Sequence, residues 1–304
     1  MKTIKIGTRN SPLALWQANE VAAKLQAIGH TTEIVPIVSS GDKNLTQPLY
    51  AMGITGVFTK DLDISLLNKD IDIAVHSLKD VPTQLPTGIQ ISTVLERDFP
   101  QDVLVRKSDS KNKDLKDLKI ATSSLRRRAF WSHVFENTEF ADIRGNVQTR
   151  LKKLEDGVAD ATLFSLAGLK RMELDIDFEE VDFLLQAPSQ GVVCIANLSE
   201  DKDLTEVLKQ INHEETQKCI HIEREFLRTL EGGCTAPIGA HAEFIGDKIR
   251  FQGRLCSLDG KDCINVDETI DWNSEQNFGA EIAHQVLKRG GKDMMLLINS
   301  QIKS

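Results

Sequence analysis

Apolar residues along the first part of the chain follow two alternating rhythms, with periods of about two and about 3.6 residues. The short period-two runs predict β-strands, and the longer runs between them predict helices. The first predicted helix has Ser11 as its N-cap, Pro12 at its first position and Gly29 as its stop. The segments, in order, are TIKIGT, NSPLALWQANEVAAKLQAIG, TEIVPIVS, FTKDLDISLLNKD and IDIAVHS. Strands that alternate with helices predict βαβ units and a mostly parallel sheet.

A second series of the same kind begins near Asp102. Its strand-like and helical runs are DVLVRK, LKIATS, SLRRRAFWSHVF, FADIRGN, VQTRLKKLEDG, DATLFSLAGLKRM and GVVCIANL. After residue 210 the pattern changes to one helix, then strand-like runs, then a last helix, EQNFGAEIAHQVLKRGG. This change predicts an α+β domain at the end of the chain. Segment 39–57 has three glycines, a proline and little periodicity, and it predicts a long mobile loop of the kind that covers a site.

Composition narrows the class of protein. The chain has 304 residues and a formal net charge of −8, and no run approaches the roughly 18 apolar residues of a membrane helix. The N-terminus has no signal-peptide core, so a cytoplasmic location is expected. The five cysteines include no C-x-x-C pair, which argues against a disulfide framework and against a zinc site. Net acidity argues against a protein devoted to nucleic acid, and the chain has no glycine-rich nucleotide loop.

Arginines recur where a predicted strand meets the start of a helix. Helix N-termini have free N–H groups and partial positive charge, and guanidinium groups pair well with carboxylates and phosphates. The residues in such positions are Arg9 with Ser11, Thr122, Ser123 and Ser124 before the run Arg126–Arg128, and Arg144 with Arg150. The pattern predicts a site for an anion. Surface salt bridges with the many acidic residues remain the alternative for any single arginine.

The run Arg126–Arg128 cannot all reach one ligand, because successive helical residues point about 100° apart. Arg126 and Arg127 are nearest the predicted cap and are the candidates for the site, whereas Arg128 is expected to face solvent.

Two further residues have possible chemistry. Asp80 follows the apolar run IDIAV and therefore lies at the carboxyl end of a predicted strand, although an Asp before Val-Pro is commonly a turn residue. Cys234 follows two glycines, which allow a sharp turn close to a ligand, although an unpaired cysteine is commonly buried and inert. The other cysteines are expected to be inert, and Cys194 is expected in the core.

Five stretches, in order between residues 7 and 240, resemble the hydroxymethylbilane synthase family, also called the porphobilinogen deaminases. They are GTRNSPLALWQA, DIAVHSLKDVPT, TSSLRRRA, RGNVQTRL and LEGGCTAPIGA. The resemblance implies a transferase that joins four porphobilinogen molecules head to tail and releases ammonia, giving the linear tetrapyrrole hydroxymethylbilane of heme biosynthesis. It also implies a dipyrromethane cofactor bound to Cys234 through a thioether. Each pyrrole carries an acetate and a propionate, so the arginines would meet a growing polycarboxylate.

The resemblance assigns roles residue by residue. It implies Asp80 as the catalytic residue, which stabilises the azafulvenium cation and shuttles protons. It implies that cofactor carboxylates are held by Lys79, Ser11, Thr122, Ser124, Arg126, Arg127 and Arg144, with Cys234 as the attachment point. It implies that the substrate meets Arg9, Arg150, Arg171 and Gln190, and that Arg97 braces the hinge between the first two domains. No metal is implied.

The expected architecture is α/β in three domains, the first two resembling the paired lobes of periplasmic binding proteins with a cleft between them. Domain 1 is expected to hold residues 1–97 and 190–210, domain 2 residues 98–189, and the smaller α+β domain 3 residues 211–304. We expect a monomer whose partner is a small-molecule substrate, with neither nucleic acid nor membrane.

The sequence departs from the family pattern at two places. Thr55 stands where the mobile loop usually has a lysine, and Ala196 stands where a glutamate is common. The first leaves open what the loop contributes, and the second is interpreted as structural. Two rival functions also stay open, a non-catalytic two-lobed protein that binds a small anion and a nucleic-acid protein that uses the arginine cluster.

Overall fold

The computed structural model describes residues 2–38, 58–230, 236–271 and 277–303. The predicted mobile loop 39–57, which includes Thr55, lies outside the described residues, and so does Cys234.

The described strands and helices follow the predicted alternation closely through the first two domains. The strands are β1 (Ile4–Arg9), β2 (Thr32–Ile37), β3 (Ile73–Ser77), β4 (Ile89–Val94), β5 (Asp102–Arg106), β6 (Ile120–Ala121), β7 (Phe140–Ala141), β8 (Ala161–Ser165), β9 (Glu179–Glu180), β10 (Val193–Leu198), β11 (Ile238–Ile245), β12 (Lys248–Cys256) and β13 (Cys263–Asp271). The helices are α1 (Pro12–Ala27), α2 (Lys60–Leu67), α3 (Leu125–Val134), α4 (Val147–Glu155), α5 (Leu166–Lys170), α6 (Lys202–Lys209), α7 (Glu214–Thr229), α8 (Phe278–Val286) and α9 (Lys292–Lys303). Of these, β4, β9, α6 and α9 were not predicted.

Two five-stranded sheets share one topology. The first has the order β2-β1-β3-β10-β4 and the second β7-β6-β8-β5-β9. In the first, β1 is parallel to β2 and β3, whereas β10 is antiparallel to β3 and β4. In the second, β6 is parallel to β7 and β8, whereas β5 is antiparallel to β8 and β9. Four strands of each sheet therefore run one way, which confirms a mixed, mostly parallel fold.

The antiparallel strand of each sheet is the first strand that the chain forms after it crosses from the other sheet. β5 is the first strand after the chain leaves the first sheet, and β10 is the first strand after it returns. Each sheet thus receives its antiparallel strand directly from a crossing segment. The crossings run from Leu95 to Gln101 and from Val181 to Val192, and they bring the two lobes together side by side.

Local sequence explains where the helices of the lobes start. Ser11 caps α1 by accepting a hydrogen bond from the Ala14 amide at 3.3 Å, with Pro12 at the first helical position. Asn146 caps α4 by accepting from the Thr149 amide at 2.8 Å. Gly145, just before this cap, has a φ of 121°, a conformation that a side chain would strain.

The third domain packs helices against an antiparallel meander with the order β11-β12-β13. Its core includes Phe226, Phe251 and Ile282, all fully buried. The predicted last helix ends near its double glycine, but the chain then continues as α9. Gly290 has a φ of 101° and breaks the helical path between α8 and α9. The double glycine therefore does end one helix, as predicted, but a second helix follows it.

The four cysteines other than Cys234 were expected to be unpaired and inert, and the structure confirms this for two of them. Cys194 and Cys219 are buried free thiols, and burial raises the pKa of each to about 12, so both are inert as expected. Cys256 and Cys263 form a disulfide, which contradicts the expectation that these residues are unpaired. They are directly opposite each other in the β12–β13 pairing, with Cα atoms 4.1 Å apart, a relation that sequence spacing alone does not show.

Within the part of the chain that the structure describes, none of the helices combines the length and apolar character needed to cross a bilayer.

Candidate functional site

Asp80 lies where the chain leaves the centre of the first sheet. β3 is apolar and buried, and a single 3₁₀ turn, Leu78–Asp80, follows its last residue. The Leu78 amide donates to the Val192 carbonyl at 2.9 Å, which fixes the turn to the returning crossing. Asp80 itself is half-buried. The carboxylate is thus at a strand's carboxyl end, as predicted, and beside the second crossing.

Lys79 connects this turn to the second lobe. Its Nζ donates to Gln190 Oε1 at 3.1 Å. Gln190 is 1% exposed, and its Nε2 donates to the Pro100 carbonyl at 2.7 Å and to Asp102 Oδ1 at 2.9 Å. Burial lowers the pKa of Lys79 to about 8, despite the nearby Asp80 carboxylate that favours its charged form. Gln190 therefore bridges a cation of one lobe and an anion of the other.

The helix that begins the arginine run is capped as predicted. Ser124 accepts a hydrogen bond from the Arg127 amide at 3.3 Å, and Thr122 Oγ1 accepts from the Ser124 amide at 3.2 Å. Arg128 donates to the Thr122 carbonyl at 2.8 Å and to Asp142 at 2.9 Å. Its side chain is 22% exposed, so Arg128 belongs to a partly covered surface pair rather than to open solvent.

Arg126 and Arg127 share one buried carboxylate, Asp102, at the first position of β5. Arg126 Nη2 lies 2.6 Å from Asp102 Oδ2, and Arg127 Nη2 lies 2.7 Å from Asp102 Oδ1. Although desolvation alone would raise the pKa of Asp102, the two guanidinium groups hold it well below its usual range. Sequence reasoning missed this acid. A lone Asp at the head of the otherwise apolar run DVLVRK was the available signal, since a buried charge demands partners.

Arg150 joins the same cluster from α4. Its Nη2 donates to the Leu163 carbonyl at 2.6 Å, and Arg127 Nη1 donates to the same carbonyl at 2.7 Å. The Arg150 guanidinium also lies 4.2 Å from the centre of the Phe164 ring. Burial lowers the pKa of Arg150 to about 9, and the positive charge of Arg127 acts in the same direction.

The cluster has more positive than negative charge. Lys79, Arg126, Arg127 and Arg150 all interact electrostatically with Asp102. Asp80 adds a second carboxylate beside Lys79, and two carboxylates cannot neutralise four cations. In addition, Nε of Arg127 and Nε of Arg150 are buried donors that lack a hydrogen-bond partner among the described residues. This arrangement favours an additional anion, because buried cations are costly unless they are paired.

Two other residues predicted for the site, Arg9 and Arg144, lie at or shortly after strand ends. Arg9 ends β1, and its guanidinium lies 4.4 Å from the centre of the Phe58 ring. Arg144 is half-buried between β7 and the α4 cap, and burial lowers its pKa. His76 is buried, and desolvation followed by the charge of Arg9 lowers its pKa to about 4, so it is neutral near pH 7.

Arg171 and Arg97 make hydrogen bonds within and across the crossings, so their side chains already have protein partners. Arg171 Nε donates to Asp98 at 2.8 Å and its Nη2 donates to the Gly191 carbonyl at 2.6 Å, which joins the two crossings. Arg97 Nη1 donates to Glu223 Oε1 at 2.8 Å, and Glu223 belongs to α7 of the third domain. Arg97 therefore braces the third domain against the first crossing, and the hinge between the first two domains is braced by Arg171.

The described residues contain no cluster of three or more His, Cys, Asp or Glu side chains that could hold a metal ion.

These features define a class of protein: a two-lobed α/β fold with a third domain, whose lobes meet at a buried, cation-rich centre beside a carboxylate turn. The sequence model described as porphobilinogen deaminase, dipyromethane cofactor binding domain, matches residues 4–206, and the porphobilinogen deaminase C-terminal domain matches residues 217–288. The chain belongs to the porphobilinogen deaminase family.

Relatives support this assignment over the whole chain. Porphobilinogen deaminase from Chloroherpeton thalassium is 39% identical over 309 residues, covering 98% of each chain. Probable porphobilinogen deaminase from Methanocaldococcus jannaschii is 44% identical over 244 residues, covering 79% of this chain and 83% of its own. Among solved structures, the L-cystine solute receptor of Neisseria gonorrhoeae matches with a TM-score of 0.40 and 16% identity over 73% of this chain and 90% of its own.

Proposed function

We propose that this chain is the transferase of heme biosynthesis that joins four porphobilinogen molecules into hydroxymethylbilane with release of ammonia. Family membership supports the reaction. The structural observation that carries the proposal is the excess of buried positive charge beside Asp80, where Lys79, Arg126, Arg127 and Arg150 surround the single carboxylate of Asp102. A substrate with two carboxylates per ring supplies the anions that this centre lacks.

The dipyrromethane cofactor fits the donors that are present. Buried guanidinium groups with unpaired Nε donors match carboxylate arms in charge and in hydrogen-bonding geometry. When bound, dipyrromethane supplies the nucleophilic pyrrole carbon to which each new unit is joined. The residues proposed to hold it are Lys79, Ser11, Thr122, Ser124, Arg126, Arg127 and Arg144, with Cys234 as its attachment point. Cys234 lies outside the described residues, five positions after the end of α7.

Asp80 is the proposed catalytic residue. Loss of ammonia from porphobilinogen leaves a cationic ring, and a fixed carboxylate near the pyrrole N–H stabilises that charge as it develops. The same carboxylate can accept and return the ring protons during bond formation. The 3₁₀ turn and its hydrogen bond to Val192 hold Asp80 in place at the crossing.

Substrate contacts are proposed for Arg9, Arg150, Arg171 and Gln190. Gln190 is already hydrogen-bonded to Lys79 and Asp102, and Arg171 to the second crossing. Their proposed role is therefore to hold these groups in place for the substrate. Arg9, at the end of β1, and Arg150, in the first turn of α4, keep the direct role in the proposal.

The nucleic-acid alternative is disfavoured by the burial of the arginines. Arg126 and Arg127 are 6% and 8% exposed and are both paired with Asp102, so they offer little surface to a phosphate backbone. We further propose that the protein works as a cytoplasmic monomer, with domains at residues 1–97 and 190–210, 98–189 and 211–304. Light scattering on the purified protein tests the monomer.

The test is turnover of porphobilinogen by Asp80→Asn, with Asp70→Asn as the control. Asp70 is an exposed acid of the same lobe. We expect the wild-type protein and Asp70→Asn to consume porphobilinogen and release ammonia equally. Asp80→Asn should lose about a hundredfold or more in rate, the scale expected for a general acid–base residue, while unfolding at the same temperature. Wild-type activity in Asp80→Asn would remove that residue from the mechanism, and an inactive wild-type protein would overturn the function.

A further inference from the structure

We propose that Arg224 of α7 is a positioning residue for Asp80, an inference that rests on the proposed function. Arg224 Nη1 donates to the Val81 carbonyl at 3.0 Å, and its Nη2 donates to the Pro82 carbonyl at 2.6 Å. These are the two residues that directly follow Asp80. The guanidinium of a third-domain residue therefore holds the backbone that directly follows the Asp80 turn of the first domain.

Apolar packing supports the same contact independently. Ile220, one helical turn before Arg224, is buried in one cluster with Leu78 and Val81. Residues four apart on a helix lie on the same face, so Ile220 and Arg224 meet the Asp80 turn together. Leu78 is the first residue of the turn, and Val81 directly follows its last residue. The same face of α7 therefore packs against the turn through Ile220 and donates hydrogen bonds to the residues after it through Arg224.

The contact face of α7 extends one turn further. Thr216 Oγ1 accepts a hydrogen bond from the Arg97 amide at 3.1 Å, just after β4. Thr216, Ile220 and Arg224 are spaced four apart and all contact the first lobe. α7 ends at Thr229, and Cys234 follows five residues later. One rigid helix therefore links the proposed catalytic carboxylate to the segment that carries the proposed attachment point.

Arginine suits this role better than lysine. Its planar fork presents two parallel donors at a fixed spacing, which matches two successive carbonyl oxygens, whereas a lysine ammonium has no such fork. Displacement of a catalytic group by about 1 Å can cost on the order of a hundredfold in rate. Loss of the clamp should therefore lower kcat through Asp80 and leave the cationic centre that binds carboxylates intact.

The experiment compares Arg224→Gln and Arg224→Lys with Arg228→Gln in the full-length enzyme carrying its cofactor. Arg228 is one turn further along α7 and is exposed, so it is a matched control. Intact mass reports cofactor loading, and steady-state kinetics report kcat and KM for porphobilinogen. We expect all three variants to load cofactor. Arg224→Gln should lose about ten- to a hundredfold in kcat with KM unchanged within about threefold, and Arg224→Lys should recover part of that loss.

A double-mutant cycle with Asp80→Glu separates positioning from general stabilisation. If Arg224 acts through Asp80, the kcat losses of Arg224→Gln and Asp80→Glu should not multiply when the two changes are combined. Losses that multiply would overturn the proposal, as would wild-type kcat in both Arg224 variants. If Arg224→Gln does not fold, Arg224→Lys decides alone, since its kcat must fall with KM retained. Failure of the wild-type enzyme to consume porphobilinogen would instead reject the proposed function.

Discussion

The buried Asp102 carboxylate is the residue on which the cationic centre depends. It is 1% exposed and receives hydrogen bonds from Arg126, Arg127 and Gln190 at 2.6–2.9 Å. A buried ion cluster is not necessarily a net source of stability, but removing one partner leaves the others uncompensated. Asp102 thus allows the arginines to lie at the centre of the molecule with their charges partly balanced.

We predict that Asp102→Asn lowers the free energy of unfolding by about 3–5 kcal/mol, because two guanidinium groups lose their buried counter-charge. Denaturation with urea measures the change. Asp142→Asn removes the partner of Arg128, and this partly covered surface pair should contribute about 1 kcal/mol or less. Similar losses for the two variants would contradict the central place of Asp102.

Acid should weaken the same cluster. The pKa of Asp102 is lower in the folded protein than in the unfolded chain, so its stabilising contribution is complete above the ordinary Asp value of about 3.9. As the pH falls below that value, the Asp102 carboxyl binds a proton in the unfolded chain but stays ionised in the folded protein. The free energy of unfolding therefore declines. The decline with acid should be shallower in Asp102→Asn.

A pH dependence of ligand uptake is expected from Lys79. Its pKa of about 8 means that it is charged at pH 7 and loses its charge as the pH rises through 8. We predict that the cofactor-free protein takes up porphobilinogen more slowly at pH 9 than at pH 7, as followed by intact mass. Arginine stays charged throughout, so Lys79→Arg should flatten this fall. An equal fall in Lys79→Arg would show that Lys79 does not set the dependence.

Sequence reasoning at this scale predicted the helix caps but not the pairing of the charged residues. The capping roles of Ser11 and Ser124 followed from residue type and position and are confirmed. The pairing of Arg126 and Arg127 with Asp102 did not follow, because it joins positions more than twenty residues apart on a strand and a helix. Long-range charge compensation depends on how elements pack, which single-sequence patterns do not record.

At the scale of elements, the arginine helix α3 is held by the third domain as well as by its own lobe. The Arg254 guanidinium lies 5.0 Å from the centre of the buried Phe130 ring. His133 Nδ1 donates to the Gly260 carbonyl at 2.9 Å, in the turn between β12 and β13. The disulfide Cys256–Cys263 joins the two strands directly next to this turn. The β12–β13 hairpin thus acts as a brace against the helix that presents Arg126 and Arg127.

We predict that Gly260→Ala disturbs this brace more than Gly246→Ala disturbs the neighbouring hairpin. Both glycines have positive φ, 75° and 65°, so both substitutions carry a similar backbone penalty. A Cβ at Gly260 would overlap the Ala129 carbonyl oxygen of α3, whereas one at Gly246 meets no described atom within 4 Å. Gly246→Ala should cost about 1 kcal/mol, and Gly260→Ala should cost more and also lower kcat.

Thermal unfolding and porphobilinogen turnover of both variants check this prediction. Equal losses of stability with full activity in Gly260→Ala would show that the hairpin does not position α3.

Element prediction failed where glycine or short length obscured the pattern. The last helix was expected to end at its double glycine, yet α9 continues beyond Gly290, and its buried Met295 and Ile298 complete the core of the third domain. The strand direction of β5 and β10 was also beyond the sequence, because an apolar run reads the same in either direction.

At the scale of the whole molecule, the two crossings and α7 hold the Asp80 turn and the cationic cluster together. The crossings bring Lys79 of the first lobe to Asp102 of the second through Gln190. α7 of the third domain reaches back to the Asp80 turn through Arg224. The three-domain layout could be expected from the sequence because the family motifs appear in order. The grouping of Lys79, Arg126, Arg127 and Arg150 around Asp102 required the fold.

The most direct test of the account is the intact mass of the purified wild-type protein, before and after brief exposure to porphobilinogen, beside Cys234→Ala. The account predicts that the wild-type protein is heavier than its sequence by a pair of pyrrole units and gains further single-unit steps on exposure. Cys234→Ala should match its sequence mass throughout. A wild-type protein that matches its sequence mass before and after porphobilinogen would contradict the claim that the cationic centre serves pyrrole acids attached to this chain.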